Sequence, residues 1–167
     1  MDARTRADID QKYARVADAI RTNGWLVQYV TNDECPGPRC DTEPDKCLPF
    51  GYTVGLFGFG HPELLVIGMP VEHTVRVRGE LAHRVHTGEK LVPGVEVSAD
   101  DFRIVPEEVP NPGDIVFVAN SHYKRPDEAS VPVLQLTYDD GAGRFPWDVG
   151  CNVARLQPRP GTFSARI

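Results

Sequence analysis

His61 and Glu63, separated by Pro62, stand between two apolar runs in the stretch FGYTVGLFGFGHPELLVIG, from Phe50 to Gly68. An imidazole accepts or donates a proton near neutral pH, and a carboxylate two residues on can orient it or act as a base. Gly58 and Gly60 let the chain turn sharply before the histidine. Pro62 keeps His61 out of the helical conformation and fixes its own φ. The pattern puts both side chains near a strand end, a common place for a site. It assigns His61 the part of general acid/base, with Glu63 or Asp148 as its orienting partner. A plainer alternative stands beside this one: His61 shapes a turn and Glu63 is solvated.

A second constellation is Arg144-Phe145-Pro146-Trp147-Asp148, downstream of a strand containing Gln135. A Trp beside an Asp, pre-set by Pro, can wall a pocket and offer one fixed carboxylate. Equally, Trp147 can close the core while Asp148 caps a turn. A third is the spacing C-x4-C-x6-C of Cys35, Cys40 and Cys47. Reduced thiols in a cytosol suit a metal better than a disulfide. Zinc would need a fourth ligand, Cys151 or a histidine. No C-x2-C knuckle is present, so free or oxidisable thiols remain the rival reading. Glu80, His83 and His86 recur at spacings of three on a helix, but they do not form H-E-x-x-H and read as a solvated face.

The elements that must position these groups follow from periodicity. Ile9, Tyr13, Val16 and Ile20 make one apolar stripe, which predicts a helix over 4–22, stopped by Asn23-Gly24. Trp25–Val30 is a β-branched and aromatic strand. Residues 32–49 hold Pro36, Pro38, Pro44 and Pro49 and break all periodicity. Strands are predicted at Phe50–Leu56 and Leu64–Gly68, the second continuously apolar and central. A helix over Val71–His86 turns Val71, Val75, Ala82 and Val85 inward. Further strands fall at Phe102–Val105, Asp114–Ala119 and Val133–Tyr138, and the tail from Gln157 is irregular. About two helices and six strands, without strict βαβ alternation, predict a single α+β domain over 1–167 with a mixed or mainly antiparallel sheet. Glycines at 51, 55, 58 and 60 would permit curvature, even toward a small barrel.

Composition narrows the function classes. The chain has 167 residues and an apolar fraction of 41%, enough for one domain with its own core. No apolar run approaches the roughly 20 residues that cross a bilayer. The start MDARTRADIDQ lacks a hydrophobic signal region, so a cytoplasmic location is expected. The net charge of −6, with no Lys/Arg cluster, argues against nucleic acid as a partner. Neither a P-loop, nor a G-x-S-x-G elbow, nor a dinucleotide-binding G-x-G-x-x-G occurs.

Gly24-Trp25, Gly51-Tyr52-Thr53-Val54-Gly55-Leu56, His61-Pro62-Glu63-Leu64, Gly68, Leu134-Gln135 and Gly143-Arg144-Phe145-Pro146-Trp147-Asp148 together resemble a bacterial family, domain of unknown function 4262. The likeness runs from about Asn23 to Gly150. It implies that Tyr52, Thr53, His61, Glu63, Gln135, Trp147 and Asp148 matter, because they match the family's motifs. The Cys-bearing insert departs from the family pattern. The family carries no assigned activity. The leading expectation is a pocket built by Tyr52–Glu63 and Gln135–Asp148, with Tyr52, Thr53, Gln135 and Trp147 binding a small molecule. The first alternative is a non-catalytic interaction module, of the immunity or adaptor kind, whose acidic charge suits a basic protein partner. A weaker similarity to flavin-reductase split barrels would bring FMN, although no Arg or Lys lies in the relevant loop to meet its phosphate.

Overall fold

The computed structural model describes residues 2–31 and 48–165. The chain opens with helix α1 (Ala3–Asn23). Asp2 caps it by accepting the Thr5 N–H at 2.7 Å, and Gly24 closes it in the left-handed conformation. Strands β1 (Leu26–Val30) and β2 (Phe50–Val54) follow. A 3-10 turn (Leu56–Phe59) leads into β3 (Glu63–Ile67) and helix α2 (Val71–His86). Strands β4 (Val97–Ala99) and β5 (Phe102–Glu108) form a hairpin, then come the short helix α3 (Phe117–His122) and β6 (Val133–Tyr138).

The six strands make one open sheet in the order β1-β2-β3-β6-β5-β4. β3 and β6 run parallel and the other neighbours antiparallel, so the sheet is mixed, as expected. It does not close into a barrel; β1 and β4 are its edges. Every position of β2, β3 and β6 is buried, because layers cover both faces. On one face, Tyr52, Leu65, Ile67 and Val133 pack with Val16 of α1, Val118 of α3 and Phe163 of the tail. On the other, Leu64, Val66, Leu134 and Leu136 meet Val77, Leu81, Ala82 and Val85 of α2.

Four details differ from the sequence reading, the first being strand β4, which pairs with β5 where no strand was expected. The inward stripe of α2 is Thr74, Val77, Arg78, Leu81, Ala82 and Val85, while Val71 and Val75 are 43% and 49% exposed. The expected strand at Asp114–Ala119 is instead a 3-10 turn, Pro112–Asp114, running into α3. Pro112 starts that turn, and the Val116 and Asn120 N–H groups bond four residues back, to Pro112 O and Val116 O. Strand β5 also extends through Pro106 to Glu108. β4 pairs only as far as Ile104, so the missing N–H of Pro106 faces no strand.

Candidate functional site

The turn between β2 and β3 is built around Glu63. Its side chain is fully buried. Oε1 accepts the N–H groups of Gly55 and Phe57 at 2.8 and 3.2 Å. Oε2 accepts the Thr53 hydroxyl at 2.6 Å and the Leu56 N–H at 3.2 Å. Thr53 Oγ1 in turn accepts the Leu64 N–H at 2.9 Å, which leaves its proton for the carboxylate. Burial pushes the Glu63 pKa up, and the four donors oppose that push. The carboxylate thus caps the 3-10 turn Leu56–Phe59, whose first N–H groups would otherwise lie buried and unpaired. The turn needs Gly55: φ is +131°, and a Cβ there would stand 2.6 Å from Gly24 O.

His61 is 4% exposed and also bonds to backbone at both nitrogens. Nδ1 lies 2.7 Å from Pro62 O, and Nε2 accepts the Leu91 N–H at 3.1 Å. A carbonyl needs a donor and an N–H needs an acceptor, so the ring is neutral with its proton on Nδ1. Burial pulls its pKa below the usual histidine range. The ring staples the β2–β3 turn to the segment after α2.

The remaining expected residues lie elsewhere. Tyr52, 2% exposed, accepts the Val118 N–H at its hydroxyl at 3.1 Å and holds α3 to the sheet. Burial pushes its pKa up to about 12. Gln135 shares a row with Tyr52 through Leu65, and its Nε2 donates to Pro158 O at 2.8 Å, anchoring the tail. Trp147 is 49% exposed, stacked on Phe145 at 4.9 Å, with the Arg159 guanidinium 4.9 Å above its ring. Asp148 accepts the Phe145 N–H at 2.9 Å and returns its own N–H to Phe145 O, so its carboxylate shapes a turn.

The parallel register pairs Glu63 with Val133. Glu63 therefore sits at the start of β6, while the segment bearing Trp147 leaves the strand's far end at Tyr138, roughly 17 Å further along the sheet, and turns back so that Trp147 meets Arg159, the partner of Glu107 opposite Gln135. Of the two segments expected to share one pocket, the HPE turn enters β3 at one end and the chain toward the PWD motif leaves β6 at the other, while Tyr52 and Gln135 share a row between them. Cys151 is part-buried and its thiol donates to Arg144 O at 3.4 Å. Among the described residues, no group of three His, Cys, Asp or Glu side chains could hold a metal. Cys35, Cys40 and Cys47, the other expected ligands, lie outside the described residues.

Two buried side-chain polar atoms among the described residues have no hydrogen-bond partner: Arg78 Nη2 and Asn111 Oδ1. Neither residue is singled out by the sequence. Arg78 is a lone cation on an otherwise apolar stripe, and Asn111 looks like ordinary turn material between two prolines. Asn111 lines an open groove of about 640 Å³ between the 3-10 turns Pro112–Asp114 and Asp127–Ala129. No described helix is long and apolar enough to cross a membrane.

The molecule is thus an α+β domain with an open mixed sheet, whose most conspicuous polar motif is a carboxylate-capped turn. A family model described as a domain of unknown function, DUF4262, matches residues 19–152, most of the chain. The chain belongs to that family. Comparison with the curated proteins and with the solved structures gave no match.

Proposed function

We propose that this domain is a non-catalytic interaction module, and that its groove beside α3 receives a basic side chain of a protein partner. The observation that carries the reading is the unpaired Asn111 Oδ1. The Asn111 amide is oriented by its nitrogen, which donates to Phe163 O at 2.8 Å and reaches Asp114 Oδ2 at 3.5 Å. The oxygen is left requiring a donor, and an unmet buried acceptor costs roughly 1–3 kcal/mol. Glu128 lines the same groove, and the neighbouring Arg125 already spends its Nε on Ala129 O at 2.6 Å. A guanidinium or ammonium supplies both the donor and the opposite charge. The net charge of −6 favours encounter with basic surfaces.

An acid/base role for His61 and Glu63 finds less support, since both side chains spend their polar atoms on backbone. The flavin alternative loses its barrel, because the sheet is open. The test is an NMR titration of ¹⁵N-labelled protein with an arginine-bearing peptide and its neutral citrulline counterpart. The expected result is saturable shifts at Asn111, Gly113 and Glu128 with arginine alone, weakened in Glu128→Gln. Equal responses to the two peptides, or none, would remove the reading.

A further inference from the structure

Arg78 is fully buried, the one Lys or Arg among the described residues that is. Its side chain leaves the inner face of α2 toward β1 and β2. Nε donates to Thr74 O at 3.1 Å and Nη1 to Gln28 O at 3.4 Å, while Nη2 has no acceptor among the described residues. Both acceptors are neutral carbonyls, so these bonds bring no opposite charge. Gly51 makes the space: a Cβ on that residue would fall 2.2 Å from Nη1 and 2.6 Å from Cζ. The guanidinium therefore occupies a slot that β2 leaves open only with glycine. Burial draws its pKa down to about 9, which still leaves it cationic at neutral pH.

A buried charge without a counter-charge is strongly unfavourable, and well-packed apolar residues of similar volume commonly replace such groups without loss of stability. Packing alone gives no reason for an arginine at this position. Its free Nη2 hydrogens, with the second hydrogen of Nη1, make a planar fork of the kind that grips carboxylates and phosphates. The neighbouring Tyr29 is half-buried, and its hydroxyl reaches Met69 O only at 3.5 Å, a weak tie. Tyr29 is close enough to Arg78 for the two groups to influence each other's charge.

We propose that Arg78 is the receptor of an oxyanion, a carboxylate or a phosphate group, admitted past Tyr29 at the β1 edge of the sheet. The site lies on the α2 face and stands independently of the groove beside α3. Binding neutralises the guanidinium and satisfies Nη2, so an anion stabilises the folded chain in proportion to its occupancy.

The test is thermal unfolding of the wild type, Arg78→Met and Arg78→Lys in chloride, acetate and phosphate at matched pH and ionic strength. The wild type should gain about 3 °C or more in phosphate or acetate over chloride. Which anion acts tells a phosphate-bearing ligand from a carboxylate. Arg78→Met should lose that gain and be at least as stable as the wild type in chloride. Arg78→Lys, which keeps the charge without the fork, should show a smaller gain. An equal gain in Arg78→Met would mean a general salt effect. A large destabilisation of that variant in chloride would make the arginine a structural residue; either result overturns the proposal. Should Arg78→Met fail to fold, the wild-type Arg78 Nε–H resonance decides: it must shift saturably with phosphate or acetate, and a static resonance refutes the site.

Discussion

Replacing Glu63 by Gln changes one oxygen to an amide nitrogen and leaves the shape almost untouched. At the Oε1 position, an amide nitrogen would face the N–H groups of Gly55 and Phe57, donor against donor. At the Oε2 position it could donate to Thr53 Oγ1, but the Leu56 N–H would lose its acceptor. The second orientation is the cheaper. It orphans one buried N–H, at roughly 1–3 kcal/mol, takes away the acceptor of the Thr53 hydroxyl proton, and turns the bonds from Gly55 and Phe57 from charge-assisted into neutral ones, each weaker by about 1 kcal/mol. The lower desolvation cost of a neutral side chain returns part of this. The net expectation for Glu63→Gln is a loss of about 2–4 kcal/mol, or roughly 4–16 °C in Tm for a chain of this size. Urea unfolding at neutral pH measures the loss, and hydrogen exchange at Leu56 locates it, since that amide should lose protection before the rest of the sheet. A variant within about 0.5 kcal/mol of the wild type would refute the assignment of the carboxylate as the cap of this turn.

His61→Gln should make the fold less stable by roughly 1–3 kcal/mol at neutral pH, because one amide cannot serve both Pro62 O and the Leu91 N–H as the ring does. The wild-type stability should also depend on pH through this ring. Burial holds the folded pKa below the unfolded one, so the unfolded chain takes up the proton first. The stability is fully present above about pH 6.5 and is lost as the pH falls toward the folded value, by at most about 1.4 kcal/mol per pH unit. Urea midpoints across this range should fall more steeply for the wild type than for His61→Gln; parallel curves would contradict it. His122, whose pKa burial also lowers, adds a slope of the same sign to both proteins. Gly51→Ala should cost about 1–3 kcal/mol, since its Cβ meets the Arg78 guanidinium. Combining it with Arg78→Met should recover part of that loss, and strict additivity of the two changes would refute the contact.

The sheet was largely legible because β-branched runs bounded by Gly and Pro announce strands whatever their neighbours. Leu26–Val30, Phe50–Val54 and Val133–Tyr138 fall within or on their expected spans. The phase of α2 was hidden because its inner stripe includes Thr74 and Arg78, polar residues that a hydrophobic pattern counts as outward. The run DIVFVA reads as a strand by composition, and only the Pro112 turn and its packing against the sheet make it helical. At the candidate site, the HPE spacing correctly marked a turn with two precise side chains. It could not say where their polar atoms would be spent. That depended on the Gly55–Phe57 amides and on Leu91, the latter thirty residues from the ring it binds. The groove beside α3 depends on Asn111 meeting Phe163, a contact across 52 residues that no local pattern carries.

The most direct test of whether the HPE histidine serves the fold rather than chemistry is a long-range ¹H–¹⁵N NMR spectrum of the His61 ring, followed from about pH 8 to about pH 5. A structural ring bonded to Pro62 O and to the Leu91 N–H should stay neutral, with the proton on Nδ1, well below the ordinary histidine midpoint near 6.5. A ring that titrates freely near that midpoint, or that carries its proton on Nε2, would contradict the account and return His61 to the role of acid or base.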